Sequence, residues 1–150
     1  MRGSLIYRSR LQCDVRQVPD READEMQSTL RGDMVRLSLP ASPDYVRIVR
    51  LAASGIATNL GFDVDELDDL RVAVGELVNL TLEVCRPETL EVLFTVDGSE
   101  LRIEGSAPAA AGRVVELDSL TRQILDAFLD SYTIEIADGS VCFSCTLRPG

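Results

Sequence analysis

The sequence predicts an α/β (α+β) two-layer sandwich in which three helices cover one face of a mixed, mainly antiparallel sheet, in the order β-α-α-β-β-α-β-β. Three observations point there. Two Asp-Gly dipeptides, Asp97-Gly98 and Asp138-Gly139, each lie between runs of alternating apolar residues and read as hairpin turns. Three other segments repeat apolar residues at helical spacing behind a capping residue. The chain has 150 residues, enough to bury one core and too few for two comfortable ones, so all the stripes must meet in one pair of layers.

Val35, Leu37 and Leu39 alternate with Arg36 and Ser38 and give a first strand that Pro40 ends. Ser42 is a natural N-cap with Pro43 at the first helical position. Tyr45, Ile48, Val49, Ala52, Ile56 and Leu60 then repeat up to Gly61, which predicts a helix over 43–60. Asp63 and Glu66 form a capping box, and Leu67, Leu70, Val74, Leu77, Val78 and Val84 carry the second helix until Pro87 forbids more. L-E-V-L-F-T-V and L-R-I-E make the first hairpin, and A-P-A-A-A-G at 107–112 reads as a loop. Asp118 caps a third helix over 119–131 whose face is Leu120, Ile124, Leu125, Phe128 and Leu129. Tyr132 to Ile136 and Ser140 to Leu147 form the last hairpin. Residues 1–33 show no sustained periodicity and contain the polar run P-D-R-E-A-D-E-M-Q-S-T. They read as a flexible extension before a domain over 34–150, with Met34 a candidate start.

Composition is that of a soluble globular protein, with 45% hydrophobic and 27% charged residues. No apolar run approaches the roughly 20 residues that span a bilayer, and the arginine-bearing start lacks the apolar stretch of a signal peptide. No membrane association and a cytoplasmic location are therefore expected, with the four cysteines reduced. The chain has no His, and all fifteen of its basic residues are Arg. That excludes Ser-His-Asp and Cys-His catalysis, His-ligated zinc and the P-loop lysine. Cys142 and Cys145 form a C-x-x-C, but residues three apart on a strand point to opposite faces and no second pair follows. They read as buried structural cysteines, and no metal site is expected.

The formal charge is −10, and residues 1–33 balance six Arg against six acids, so the whole excess lies on 34–150. Such a body repels phosphate backbones, which argues against direct nucleic-acid binding and favours a basic protein partner. The plainer alternative is that the charge serves solubility.

The stretch P-A-S-P-D-Y-V-R-I-V-R-L-A-A-S-G-I-A-T-N-L-G-F, followed by D-D-L-R-V-A-V-G-E, resembles the anti-sigma factors of bacterial stress and sporulation switches. These are serine-protein kinases in the superfamily of gyrase-type, Hsp90-type and histidine-kinase-type ATPases. The match is close over 35–84 and by element order beyond, about three quarters of the chain, far more specific than an isolated short motif. The resemblance implies a histidine-kinase-like ATPase fold, a homodimer, a sigma factor as one partner and an anti-anti-sigma (STAS-domain) protein as the other. It also implies ATP and magnesium for phosphorylating a serine on the latter.

The motif residues depart from that pattern. Glu76 matches the family glutamate that acts as general base or water activator, but the family asparagine four residues on is Leu80 here. Asn79 lies one place early, a rotation of about 100° on a helix, which makes it a poor substitute ligand and more naturally a surface or interface amide. Where the family has Asp-x-Gly-x-Gly for adenine, this chain has G-S-A-P-A-A-A, with Ala107 near the aspartate position and Ala109 near the first glycine. Where the family has a glycine-rich phosphate lid, this chain has D-S-L-T-R-Q, with the carboxylate of Asp118. Three losses around one ligand imply that the site is gone and that Glu76 is vestigial, so no cofactor is expected.

What the resemblance then implies is a regulator that binds a sigma factor, is countered by an anti-anti-sigma protein and has lost kinase activity. Asp63, Asp65, Glu66, Asp68 and Asp69 are its candidate face for a basic sigma domain. Equally, these acids could serve the helix N-terminus, where negative charge is favoured. The alternative is a working ATP- and Mg-dependent serine/threonine-protein kinase in which Asn79 and a rearranged loop hold the nucleotide. A third reading is a dimeric scaffold that binds anti-anti-sigma proteins and no sigma factor.

Overall fold

A computed structural model of the protein describes residues 32–150. The flexible extension read from the polar N-terminal stretch thus falls outside the described residues up to position 31. Its boundary at 33 lies inside a strand, since Asp33 already pairs with Val96. Strand β1 (Asp33–Pro40) leads through a 3-10 turn (Pro43–Tyr45) into helix α1 (Val46–Asn59) and helix α2 (Val64–Val84). A hairpin of β2 (Thr89–Asp97) and β3 (Glu100–Pro108) follows, then helix α3 (Ser119–Phe128) and a hairpin of β4 (Ser131–Ala137) and β5 (Ser140–Leu147).

The element order is the one read from the sequence, and the strands lie in the order β1-β2-β3-β5-β4. Every ladder is antiparallel. The mixed quality expected of the sheet survives in direction only. Strands β3 and β4 run the same way across the α3 crossover, but β5 inserts between them, so no parallel pair forms among the described strands.

Local chemistry explains most boundaries. Ser42 accepts the Asp44 N–H at 3.3 Å, but Pro43 opens a 3-10 turn rather than the first α-turn expected at 43. The box at α2 closes in both directions: the Glu66 N–H reaches Asp63 Oδ1 and the Asp63 N–H reaches Glu66 Oε2, each at 2.8 Å. In the β2-β3 hairpin, Asp97 pairs with Glu100, so the turn residues are Gly98-Ser99 and only Gly98 has positive φ, at 60°. This is a II′ arrangement, whereas Asp138 (φ 53°) and Gly139 (φ 76°) both turn left-handed as in type I′. Both match the twist of the flanking strands.

Two expectations need correction. Ala107 and Pro108 do not begin a loop but complete β3, paired with Val141 and Ser140. Helix α3 stops at Phe128, with Leu129 already extended yet buried, and Leu120 is 65% exposed. The buried positions of α3 are Thr121 and Leu125, one helical step round from Leu120.

The core lies between α2 and the sheet, with α2 touching both other helices as well as β3 and β5. Leu70, Val74, Leu77 and Val78 of α2 share one buried cluster with Phe94, Leu101, Ile103, Val141 and Phe143. Gly105 pairs with Phe143, and its missing side chain makes room for that ring: a Cβ there would lie 2.8 Å from Phe143 Cδ1 and closer still to Cε1 and Cζ. Among the described residues no helix is long and apolar enough to cross a membrane. Gly105→Ala is expected to overpack this contact and cost about 1–3 kcal/mol. In urea unfolding the midpoint falls while the slope stays unchanged; a midpoint equal to the parent's would refute the packing assignment.

Candidate functional site

Helix α2 supplies the site residues because it carries two distinct stripes. One is buried and contains Leu70, Ala73, Val74, Leu77, Val78, Thr81 and Val84. The other faces outward and contains Asp65, Asp68, Val72, Glu76, Asn79 and Glu83, spaced three or four residues apart. Glu76 and Asn79 are therefore neighbours on the outward stripe, both half-buried. Asn79 turns toward α1 and lines a groove with residues of the 3-10 turn and Arg50. Leu80 is turned about 100° from Asn79 and is only 7% exposed.

The two other positions at which the resemblance implies nucleotide contacts are taken up by the chain's own packing and hydrogen bonds. Ala107 is fully buried in the main cluster. The chain after it is stitched down by its own backbone: the Arg86 N–H reaches Pro108 O at 2.7 Å, the Ala109 N–H reaches Gly139 O at 2.9 Å and the Ala110 N–H reaches Val84 O at 2.8 Å. Asp118 caps α3, its Oδ1 accepting the Thr121 N–H at 2.7 Å. That backbone bond, aided by the Thr121 side chain, holds the exposed Asp118 carboxyl below its usual range. A magnesium nucleotide needs an oxygen at the first of these positions, an acceptor for the adenine amino group at the second and free N–H groups at the third. The residues present at all three do not fit it.

Of the five acids proposed as a partner face, three have intramolecular roles. Asp63 and Glu66 close the capping box, Glu66 Oε1 also accepts the Gly150 N–H at 2.6 Å, and Asp68 pairs with Arg71 at 2.5 Å. Asp65 is exposed and Asp69 half-buried. The helix-terminus reading thus accounts for Asp63, Asp65 and Glu66, which lie at the cap and in the first turn, and Asp68 is held by Arg71, which leaves Asp69 outside both roles.

Cys142 and Cys145 are both buried, as read from the strand pattern. Cys85 and Cys145 are free, while Cys142 is disulfide-bonded, so the expectation of four reduced thiols fails for it. Burial pushes the Cys145 thiol up to about 12, which leaves it without nucleophilic character at neutral pH.

Sequence reasoning missed Arg47 and Arg50, which line the same groove as Asn79. An isolated glycine inside the α2 pattern, Gly75, was the available signal: it is buried directly against the Arg50 guanidinium.

No family model matches the chain. Over 45 residues it is 46% identical to "Serine-protein kinase RsbW" of Bacillus subtilis (strain 168), a stretch that is 30% of this chain and 28% of that protein. Over 77 residues it is 38% identical to "Serine-protein kinase RsbW" of Listeria monocytogenes serotype 4a (strain HCC23), covering 47% of this chain and 49% of that one. The match thus spans less than half the length of either relative. Among solved structures, the crystal structure of the RsbU and RsbW domains of a Mycobacterium tuberculosis protein is similar over 77% of this chain and 32% of that chain, with TM-score 0.61 and 17% identity. The SiaB-SiaC complex from Pseudomonas aeruginosa is similar over 87% of this chain and 98% of the matched chain, with TM-score 0.53 and 12% identity. These two likenesses establish a shared fold.

The Asp118 cap carries a pH signature. Its folded pKa is lowered below 3.8, so its stabilisation is present above that value and lost as pH falls through the folded pKa. Asp118→Ala is expected to melt below the parent at neutral pH, with the gap shrinking well under pH 3.8. Circular-dichroism melts across that range check this, and a gap independent of pH would show that the carboxylate is not the cap.

Proposed function

We propose, from the likeness to serine-protein kinases of the anti-sigma type, that this protein is an anti-sigma factor-like regulator of transcription. It binds and sequesters a sigma factor, is countered by an anti-anti-sigma (STAS-domain) protein, acts as a homodimer in the cytoplasm and performs no ATP-dependent phosphoryl transfer. The observation that carries the last clause is Leu80, an apolar and nearly buried side chain where a metal ion would need an oxygen ligand. Phosphoryl transfer rests on positioning and electrostatic stabilisation of the phosphates, and at the start of α3 the Asp118 carboxylate already takes the Thr121 N–H and would repel a phosphate.

What remains is a charged binding surface. The outward acids of α2 suit a basic, DNA-binding sigma domain, because complementary charge speeds encounter and rejects wrong partners. Sequestration then needs only that the bound surface of the sigma factor overlap the one it presents to polymerase.

One observation favours the kinase alternative: Glu76 keeps its place on the outward stripe, with an amide, Asn79, beside it. Titration calorimetry with ATP and magnesium separates the readings. No saturable heat is expected for the binding protein, together with co-purification of a sigma factor. Saturable micromolar binding of ATP, followed by phosphate transfer to a STAS-domain protein, would establish the kinase instead. Capture of STAS-domain proteins alone would favour the scaffold.

A further inference from the structure

We propose that the face of the sheet turned away from the helices is a docking surface for the chain's own N-terminal segment, residues 1–31, fastened there by a disulfide between Cys142 and Cys13. Val92 and Phe94 of β2, Ile103 and Ala107 of β3, and Val141, Phe143 and Cys145 of β5 share the core cluster with the helices. The residues that alternate with them point the other way. They form two rows in the middle of the far face: Leu93, Glu104 and Ser144 are cross-strand neighbours in one, and Glu91, Ser106 and Cys142 in the next.

An antiparallel sheet backed by helices on one side commonly leaves its other face to water. This sheet does not. Leu93 is 9% exposed, Ser106 0%, Cys142 3% and Ser144 5%, and burial pushes the Glu104 carboxyl above its usual range although Arg102 opposes the shift. All three described helices send their buried residues into the core on the opposite side, so they cannot supply this cover. Ser106 Oγ is buried without a hydrogen-bond partner among the described residues, and it offers a covering segment both a donor and an acceptor.

The cysteines identify the occupant. Of the four in the chain, Cys85 and Cys145 are free and Cys142 is disulfide-bonded, which leaves Cys13 as the sulfur to which Cys142 is joined. The connection is within reach. Cys142 lies three strands from β1, about 14 Å at the usual strand spacing, and in the row of Ser38, about 17 Å along β1 from Asp33. The twenty residues from Cys13 to Asp33 can extend over about 66 Å. Sequence also suits the surface. Leu11, Cys13 and Val15 alternate with Gln12, Asp14 and Arg16, so an extended stretch there turns all three to one side. Residues 1–18 hold four arginines against one acid, Asp14, and the far face carries Glu91, Glu104 and Glu135, with its Arg102 already engaged by Glu100.

The test uses the full chain equilibrated with oxidised and reduced glutathione. Forming the Cys13–Cys142 bond passes two electrons to oxidised glutathione and releases two molecules of the reduced tripeptide. Peptide mapping after alkylation in denaturant should find Cys13 linked to Cys142, with Cys85 and Cys145 alkylated. In the oxidised chain, nuclear Overhauser contacts should join the Leu93 methyls to side chains of residues 1–31. Cys13→Ser should lower the melting temperature under these conditions by roughly 5 °C or more. Dithiothreitol, which returns both sulfurs to thiols as it closes its own disulfide, should remove that difference. A bond between two copies, four alkylated cysteines, Leu93 methyls in contact with the described strands alone, or a Cys13→Ser melt equal to the parent's would overturn the docked segment.

Discussion

The packing of α2 constrains everything else. It contacts both other described helices and β3 and β5, so about half its circumference is committed to the core. Only a narrow stripe remains for function. On such a helix a single step of sequence is a rotation of about 100°, enough to move a side chain from the outward stripe to the buried one. Leu80 and Asn79 illustrate the consequence: adjacent in sequence, one is nearly buried and the other borders a groove.

The α1-α2 contact shows how the same constraint is met on the flank. Arg71 Nε donates to Ser54 Oγ at 2.8 Å, and that hydroxyl donates to Arg50 O at 2.9 Å, which ties the helices together through a polar relay. Gly75 admits the Arg50 guanidinium into the same seam. A glycine inside a helix costs roughly 1 kcal/mol relative to alanine, a penalty that a purely structural interface would avoid by pairing alanine with a smaller neighbour.

Much of the fold was legible in the residues, because its signals were local. The Asp63-Glu66 box, Pro87 and the two Asp-Gly turns each specify their own geometry within a few residues. What was not legible depends on distant partners. The insertion of β5 between β3 and β4 is invisible to periodicity, and the same holds for the exposure of Leu120, which has an apolar neighbour on either reading of the helix. Ala107 and Pro108 read as loop by composition, yet pairing with Val141 and Ser140 draws them into β3. At the site, the departure at Leu80 was legible only against the pattern that the resemblance implies, which lies on one helix. The closing of α3 by Asp118 was readable for the same reason, whereas the groove was not, since its arginines and its amide come from different helices.

A regulator of the kind proposed above, which turns nothing over, is released by competition, and the outward stripe of α2 suggests how one surface could serve that end. Asp65 and Asn79 lie fourteen residues apart on the same helix, roughly 21 Å at the α-helical rise, well within the span of a standard interface. One end of the stripe is acidic and the other borders a basic groove. A partner that engages both ends must carry the opposite polarity in the opposite order, which fixes its orientation and excludes a surface of uniform charge. Two partners that both satisfy this pattern cannot occupy the stripe together. Exchange between them then follows from their concentrations and affinities alone, with no need for a phosphate to be spent.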